Sequence, residues 1–162
     1  MTVLRKITGR DEFAALIIRT AFGDEAAWQA VVADLAQPWG DEGEYEADVH
    51  LVDDPAWAGA TPSDVVAAVR ADEDLSVVFL ADSVTMQCAQ RGLLALAVHD
   101  EDADLDPVHD QELIGDPPPR EFRTVPAGVH TVHANLSIAN MDFEDFAEAA
   151  LTDPDGVFRS FS

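Results

Sequence analysis

Twice in its first eighty residues the chain alternates a short apolar run with a segment of helical period, and this alternation constrains its fold most. Ala15-Leu-Ile-Ile-Arg-Thr20 is short, apolar and β-branched, as a strand buried on both faces requires. It ends in Ala-Phe-Gly-Asp, a turn followed by a helix cap at Asp24. Ala27, Trp28, Val31, Val32 and Leu35 then fall at the offsets of one helix face, with acids at its start to suit the helix dipole. Pro38 and Gly40 stop it. Glu44 to Asp54 alternates and then runs apolar through Val49, Leu51 and Val52, which predicts a second strand. Thr61-Pro62-Ser63-Asp64 has a cap, a proline at the first helical position and an acid three residues after the cap, the signature of a helix start. Val65, Val66 and Val69 would form its buried face, with Ala68 beside them. Leu75 to Ala81 is the third strand. Two strand-helix-strand units in succession predict a parallel sheet with right-handed crossovers.

The second half reads differently. Leu93 to Val98 and Glu121 to Val125 predict a fourth and a fifth strand paired as an antiparallel hairpin. Between them, residues 99 to 120 hold eight acids and four prolines, the composition of a solvated loop. Val129 to Ala134 has no clear period. A helix is expected from about Asp142 to Leu151, with Phe143, Phe146, Ala147, Ala150 and Leu151 inward. The stretch Asn135 to Phe146 leads into it, its polar residues suited to turns and caps. The tail, Asp155 to Phe161, carries two aromatics and is expected to dock. The fold class is thus α/β: a single three-layer-like domain over residues 1–162, with a β-α-β-α-β parallel core, a β-hairpin and a C-terminal helix on a mixed sheet.

Charge narrows the function classes. The 32 acidic residues outweigh 9 basic ones, for a net charge of −23, and Lys6 is the lone lysine. Binding to nucleic acid or to an anionic membrane needs clusters of Lys and Arg, so neither partner is expected. A basic protein, a cation or a salt-rich interior suits this surface better, although charge speaks to solubility and association before it speaks to fold. One cysteine, Cys88, excludes an internal disulfide and a cysteine-based zinc site. The first residues lack a long apolar run and no segment reaches the roughly 18 apolar residues of a membrane span, so a cytoplasmic protein is expected.

A family resemblance rests on particular residues. Asn135-Leu-Ser-Ile-Ala-Asn-Met-Asp-Phe-Glu-Asp-Phe146, then Asp155-Gly-Val-Phe-Arg159 and Phe161, resembles the C-terminal signature of an actinobacterial family of small proteins described only as a domain of unknown function. Arg19-Thr-Ala-Phe-Gly-Asp24 with Trp28, Val52-Asp-Asp-Pro-Ala-Trp-Ala-Gly59 and Val78-Phe-Leu-Ala-Asp82 are similar to that family's motifs as well. The resemblance spans nearly the whole chain. It implies one compact domain and no particular activity. Two departures stand out: the family joins the fourth and fifth strands by a tight turn, where this chain inserts residues 99–120, and Val129 to His133 diverges.

Chemistry could reside in few places. Each of the first three strands ends at or near Asp: Asp24, then Asp53 and Asp54, then Asp82. Ligands of open parallel sheets bind beyond the carboxyl ends of the strands. Asp53, Asp54 and Asp82 converging there would suit a hard cation such as Mg²⁺, while Asp equally ends strands and caps helices. No organic cofactor is expected. His130-x-x-His133 has a ligand spacing but no following acid at helical spacing; a loop pair is the plainer reading, with His50 and His99 as strand residues. Cys88 reads as a small buried hydrophobe. No nucleophile elbow occurs, and Ser137, Asn135 and Asn140 read as backbone hydrogen-bonding residues of a bend. Trp39, Tyr45 and Trp57 could form an exposed aromatic patch, although packing into or over the core is the plainer reading. Trp57 with Asp102, Asp104 and Asp106 is the candidate surface for a basic partner.

The composite expectation is an acidic, non-catalytic interaction module for a basic protein, of the kind an immunity-type inhibitor or a DNA mimic represents. One alternative is a small divalent-metal-dependent enzyme or sensor using the strand-end aspartates. Another is an acidity that only adapts the surface to solubility or high salt. The sequence does not specify an oligomeric state.

Overall fold

The computed structural model describes residues 14–37, 49–69, 77–87, 91–98, 121–137 and 143–158. They form one six-stranded mixed sheet. Its strands are β1 (Ala15–Arg19), β2 (Val49–Val52), β3 (Val77–Ala81), β4 (Leu93–Ala97), β5 (Glu121–Thr124) and β6 (Val157–Phe158). The helices are α1 (Glu25–Leu35), α2 (Pro62–Val69), α3 (Ser83–Gln87), α4 (Val129–Ser137) and α5 (Phe143–Thr152), with 3-10 turns at Pro55–Trp57 and Pro126–Gly128. Across the sheet the order is β2-β1-β3-β4-β5-β6. β1 is parallel to both β2 and β3, β4 is antiparallel to β3 and β5, and β6 is parallel to β5. The parallel core and the β4–β5 hairpin are those expected from the sequence. The acidic segment between the hairpin strands lies outside the described residues.

The crossovers β1-α1-β2 and β2-α2-β3 run in opposite directions across the sheet, so their helices fall on opposite faces. The strands' period-two alternation serves both. Ala15, Ile17, Val77, Phe79, Leu93 and Ala95 point to a core completed by α1, α4 and α5. Leu16, Ile18, Val78, Leu80, Leu94 and Leu96 point to a second core with Val65 and Val69 of α2 and Trp57. β1 and β3 are buried along their whole length, which is why both read as unbroken apolar runs rather than alternating ones. Caps fix where the helices begin. The Asp24 carboxylate accepts the Ala27 N–H at 3.0 Å. Thr61 and Asp64 exchange reciprocal bonds at 3.1 and 3.2 Å, a capping box at the start of α2.

The C-terminal third departs from expectation in several respects. Val129 to Ala134, without legible period, is helical within α4, with Val129 and Val132 buried. Pro126 does more than end β5: it opens a 3-10 turn that runs straight into α4, using the ring's pre-set φ at the first helical position. Asn135 therefore belongs to a helix rather than a bend, and its amide donates to Thr131 O, one turn back, at 2.8 Å. Within the tail expected to dock, Val157 and Phe158 form a strand, and residues 159–161, with Phe161, lie outside the described residues. Gly156, at φ +71°, turns the chain into β6, a conformation glycine takes without a side-chain penalty. Phe158 then pairs with Thr124, and the Thr124 hydroxyl donates to Phe158 O at 3.3 Å. A Cβ on Gly128 would lie 2.4 Å from that hydroxyl oxygen and 3.0 Å from the Phe158 ring, so this position has no room for a side chain.

On α5, Phe146, Ala147 and Ala150 are buried, and Phe143 is partly so. Leu151, expected inward, is 81% exposed. At about 100° per residue it lies roughly a quarter turn from the centre of the buried stripe, and α5 ends one residue later.

Candidate functional site

The carboxyl ends of β1, β2 and β3 share one end of the sheet, together with the start of β4 and the end of β5. This end is tightly laced. Thr20 N–H and Ala21 N–H both donate to Ala81 O, at 3.0 and 3.3 Å, and Gly59 N–H donates to Thr20 O at 2.9 Å. Two arginines organise its acids, one on each face.

Arg19 is the last residue of β1, in register with Ala81, one step past the Ile18–Val52 pair. It continues the Ala15–Ile17 side of the strand and so faces the α1 layer. Its side chain is only 3% exposed. Nη1 donates to Asp53 at 3.1 Å, Nη2 to Glu25 at 2.9 Å and Nε to Ala21 O at 3.0 Å. The guanidinium lies 4.4 Å from the Phe22 ring centroid and 5.2 Å from that of Trp28. Trp28 Nε1–H donates to the other Asp53 oxygen at 3.2 Å. A buried guanidinium persists only with partners of this kind, and its planar fork and stacking surface match what surrounds it. A hydrogen bond from Gln29, followed by the bond from Arg19, holds the Glu25 pKa below its ordinary value.

Arg123 forms the second cluster. It pairs with Leu94, whose side chain belongs to the α2 core, so it lies on the opposite face. It grips Asp82 with both terminal nitrogens, at 3.0 and 2.8 Å, and donates to Gly92 O at 3.0 Å. Asp82 also caps α3 by accepting the Thr85 N–H at 3.1 Å. The fully buried Thr85 hydroxyl oxygen lies 2.9 Å from Gly92 O and 3.1 Å from the Asp82 carboxylate. Together these bonds tie β3, α3, β4 and β5. Beside them, Arg91 holds a left-handed φ of 53° and donates to Met86 O at 3.1 Å.

Burial pushes the Asp82 pKa up, but the bond from Arg123, the Thr85 N–H, the Arg123 charge and the Thr85 hydroxyl outweigh it, and the net shift is downward. Because the folded value lies below the unfolded one of about 3.9, the contribution to stability is complete above about pH 5 and disappears as pH falls through the folded value. Asp82→Asn should therefore melt well below the parent in urea near neutral pH, with the gap narrowing below about pH 4. A gap of constant size across that range would mean that the carboxylate's charge contributes nothing.

The strand-end aspartates are thus not gathered at one point. Val52 packs on the α2 core, which turns Asp53 to the α1 face, whereas Ala81 packs on the α1 core and Asp82 meets Arg123 on the other. Asp54 caps the 3-10 turn by accepting the Ala56 N–H at 3.0 Å. Among the described residues, no three His, Cys, Asp or Glu side chains are grouped to hold a metal ion. Trp57, a candidate for an interaction surface, follows the plainer reading instead: it is 1% exposed and sits in the α2 core. Asp102, Asp104 and Asp106 lie outside the described residues, as do Trp39, Tyr45, Cys88, His99 and Asn140.

The paired histidines are on a helix, not in a loop. Both are buried, and His130 Nε2–H donates to Leu35 O, at the end of α1, at 3.0 Å. The organising residues that sequence reasoning missed are Arg19 and Arg123. The available signal was a cation closing the otherwise apolar run Ala15-Leu-Ile-Ile, since a buried charge requires a partner and the strand-end acids could supply one.

Among the described residues, no helix is long and apolar enough to cross a membrane. The sequence has no match among curated proteins. Residues 14–161 match the model of DUF6924, a domain of unknown function, and the chain belongs to that family.

Proposed function

We propose that the protein is a non-catalytic interaction module whose acidic surface engages a basic protein. One observation carries this reading: the described cations are directed inward. Arg19 and Arg123 donate to Asp53, Glu25 and Asp82, and Arg91 donates to a main-chain carbonyl. Asp34, Glu121, Glu144 and Glu148 meanwhile stand exposed. The net charge of −23 then sets the outward field, and the strand-end acids Asp53 and Asp82 are committed to arginines. Complementary charge speeds encounter and selects partners. An inhibitor of a basic toxin and a mimic of DNA are the two forms such a module would take.

The test is retention of basic proteins on the immobilised protein at low salt, followed by affinity measured against ionic strength. A basic partner should be held and its affinity should fall about tenfold or more as salt rises toward physiological levels. If no basic protein is retained, or if salt changes the melting temperature without changing any binding, the acidity serves solubility or salt tolerance instead. Mg²⁺ and Ca²⁺ should leave the melting temperature unchanged, because Asp53 and Asp82 already neutralise arginines. A rise with Mg²⁺ would favour a metal site at Asp53, Asp54 or Asp82 by linkage.

A further inference from the structure

The two edges of the sheet differ. β6 is two residues long and both are buried, so it offers almost no ladder. β2 has four residues and, among those described, pairs with β1 alone. Natural edge strands are blunted by lysine, proline, a bulge or shortness. Val49-His-Leu-Val52 contains neither lysine nor proline, and its register with β1 runs without a bulge. All four residues are partly buried and keep some exposure. Val49 and Leu51 lie at the margin of the α1 core and Val52 at that of the α2 core, so the apolar face of a strand laid alongside would complete the burial of Val49 and Leu51. The edge runs directly into Asp53, which is exposed, and Asp54, which is half-buried.

We infer that the outer edge of β2 receives an extended segment of a basic protein as an added strand. This rests on the basic-partner reading above and gives it a docking mode. In strand addition the main-chain ladder supplies affinity and alternate side chains supply specificity. The segment that fits places apolar residues beside Val49 and Leu51 and, on the alternate face beside Val52, Lys or Arg within reach of the Asp54 carboxylate, which caps the 3-10 turn and pairs with no arginine among the described residues. A second copy of this chain is the poorer occupant, because each copy carries a net charge of −23 and like charges brought together oppose association.

The experiment titrates the isotope-labelled full chain at low salt with a short, end-capped peptide alternating Val and Lys. The amides of Val49 to Val52 should shift, and their hydrogen exchange should slow by about tenfold or more. The same peptide N-methylated at alternate residues keeps its charge but loses ladder donors, and should bind at least about tenfold more weakly. A Val and Glu peptide should not bind. Shifts confined to another surface, such as the outer face of α5, or equal binding of the N-methylated peptide, would overturn the edge assignment and leave the basic-partner reading standing. Failure of the Val and Lys peptide together with every basic protein would remove that reading itself. Sedimentation as a dimer, with the Val49 to Val52 amides already protected in the free protein, would assign the edge to a second copy and overturn the inference.

Discussion

Replacing Phe146 by Ala is expected to destabilise the protein by about 3–5 kcal/mol, the range for emptying a buried phenylalanine site. Phe146 is fully buried on α5. Its ring lies 5.1 Å from that of Phe158, nearly perpendicular at 84°, and 6.1 Å from Phe122 at 14°. Phe143 meets Phe122 at 4.9 Å. One ring thus joins α5 to β5 and to the closing strand β6. Its loss removes apolar burial and two aromatic contacts at once, and leaves a cavity that the sheet is too rigid to collapse into. Leu151→Ala on the same helix is the matched control. That side chain is 81% exposed, and its removal should change stability by less than about 0.5 kcal/mol. Chemical denaturation of both variants decides the matter. A loss under about 1 kcal/mol for Phe146→Ala would mean that α5 is peripheral to the fold.

The second large effect concerns Arg19 and Asp53, and it is asymmetric. Asp53→Ala should cost about 2–4 kcal/mol, because it leaves a buried guanidinium short of a partner and also takes the acceptor from Trp28 Nε1–H. Arg19→Met should cost less, about 1–2 kcal/mol, although it deletes the more buried residue. The reason is exposure: the Arg19 side chain is 3% exposed, whereas Asp53 and Glu25 are 46% and 65% exposed. The acids left behind can be hydrated, and methionine can fill the space between Phe22 and Trp28. The cation left behind in the first variant cannot be hydrated. Urea melts at one pH compare the two directly. Should Arg19→Met prove the more costly, the cluster owes its strength to the arginine's packing rather than to compensation of its charge.

The parallel core was legible in the sequence because its signals are local. β1 and β3 are unbroken apolar runs between turn residues, and Asp24 and the Thr61–Asp64 box mark the helix starts within four residues of chain. Other features lacked such signals. β6 has two residues, too few for alternation to register, and its partner Thr124 lies far back in the chain. The β-branched Val and Thr of α4 obscured its period. The placement of Asp53, Asp54 and Asp82 at the strand ends was readable, but what neutralises them was not, because Arg19 reaches Asp53 across 34 residues and Arg123 reaches Asp82 across 41. The pleat further divides the acids between two faces, a consequence of strand register that no single segment reveals. Trp57 illustrates the same difficulty. Its place after Asp-Asp-Pro left a surface patch and core packing both open, and only the inward fold of the turn decides for the core.

Trp28 and Trp57 stand on opposite faces of the sheet, each sealed in its own core. Each indole therefore reports on one layer. In a protein with Trp39 changed to Phe, single-tryptophan variants would follow the α1 layer and the α2 layer separately as denaturant is added. Coincident emission changes would show that both layers give way in one cooperative transition. Earlier movement of Trp57 would identify the smaller α2 layer as a unit that opens by itself while the rest of the molecule stays folded.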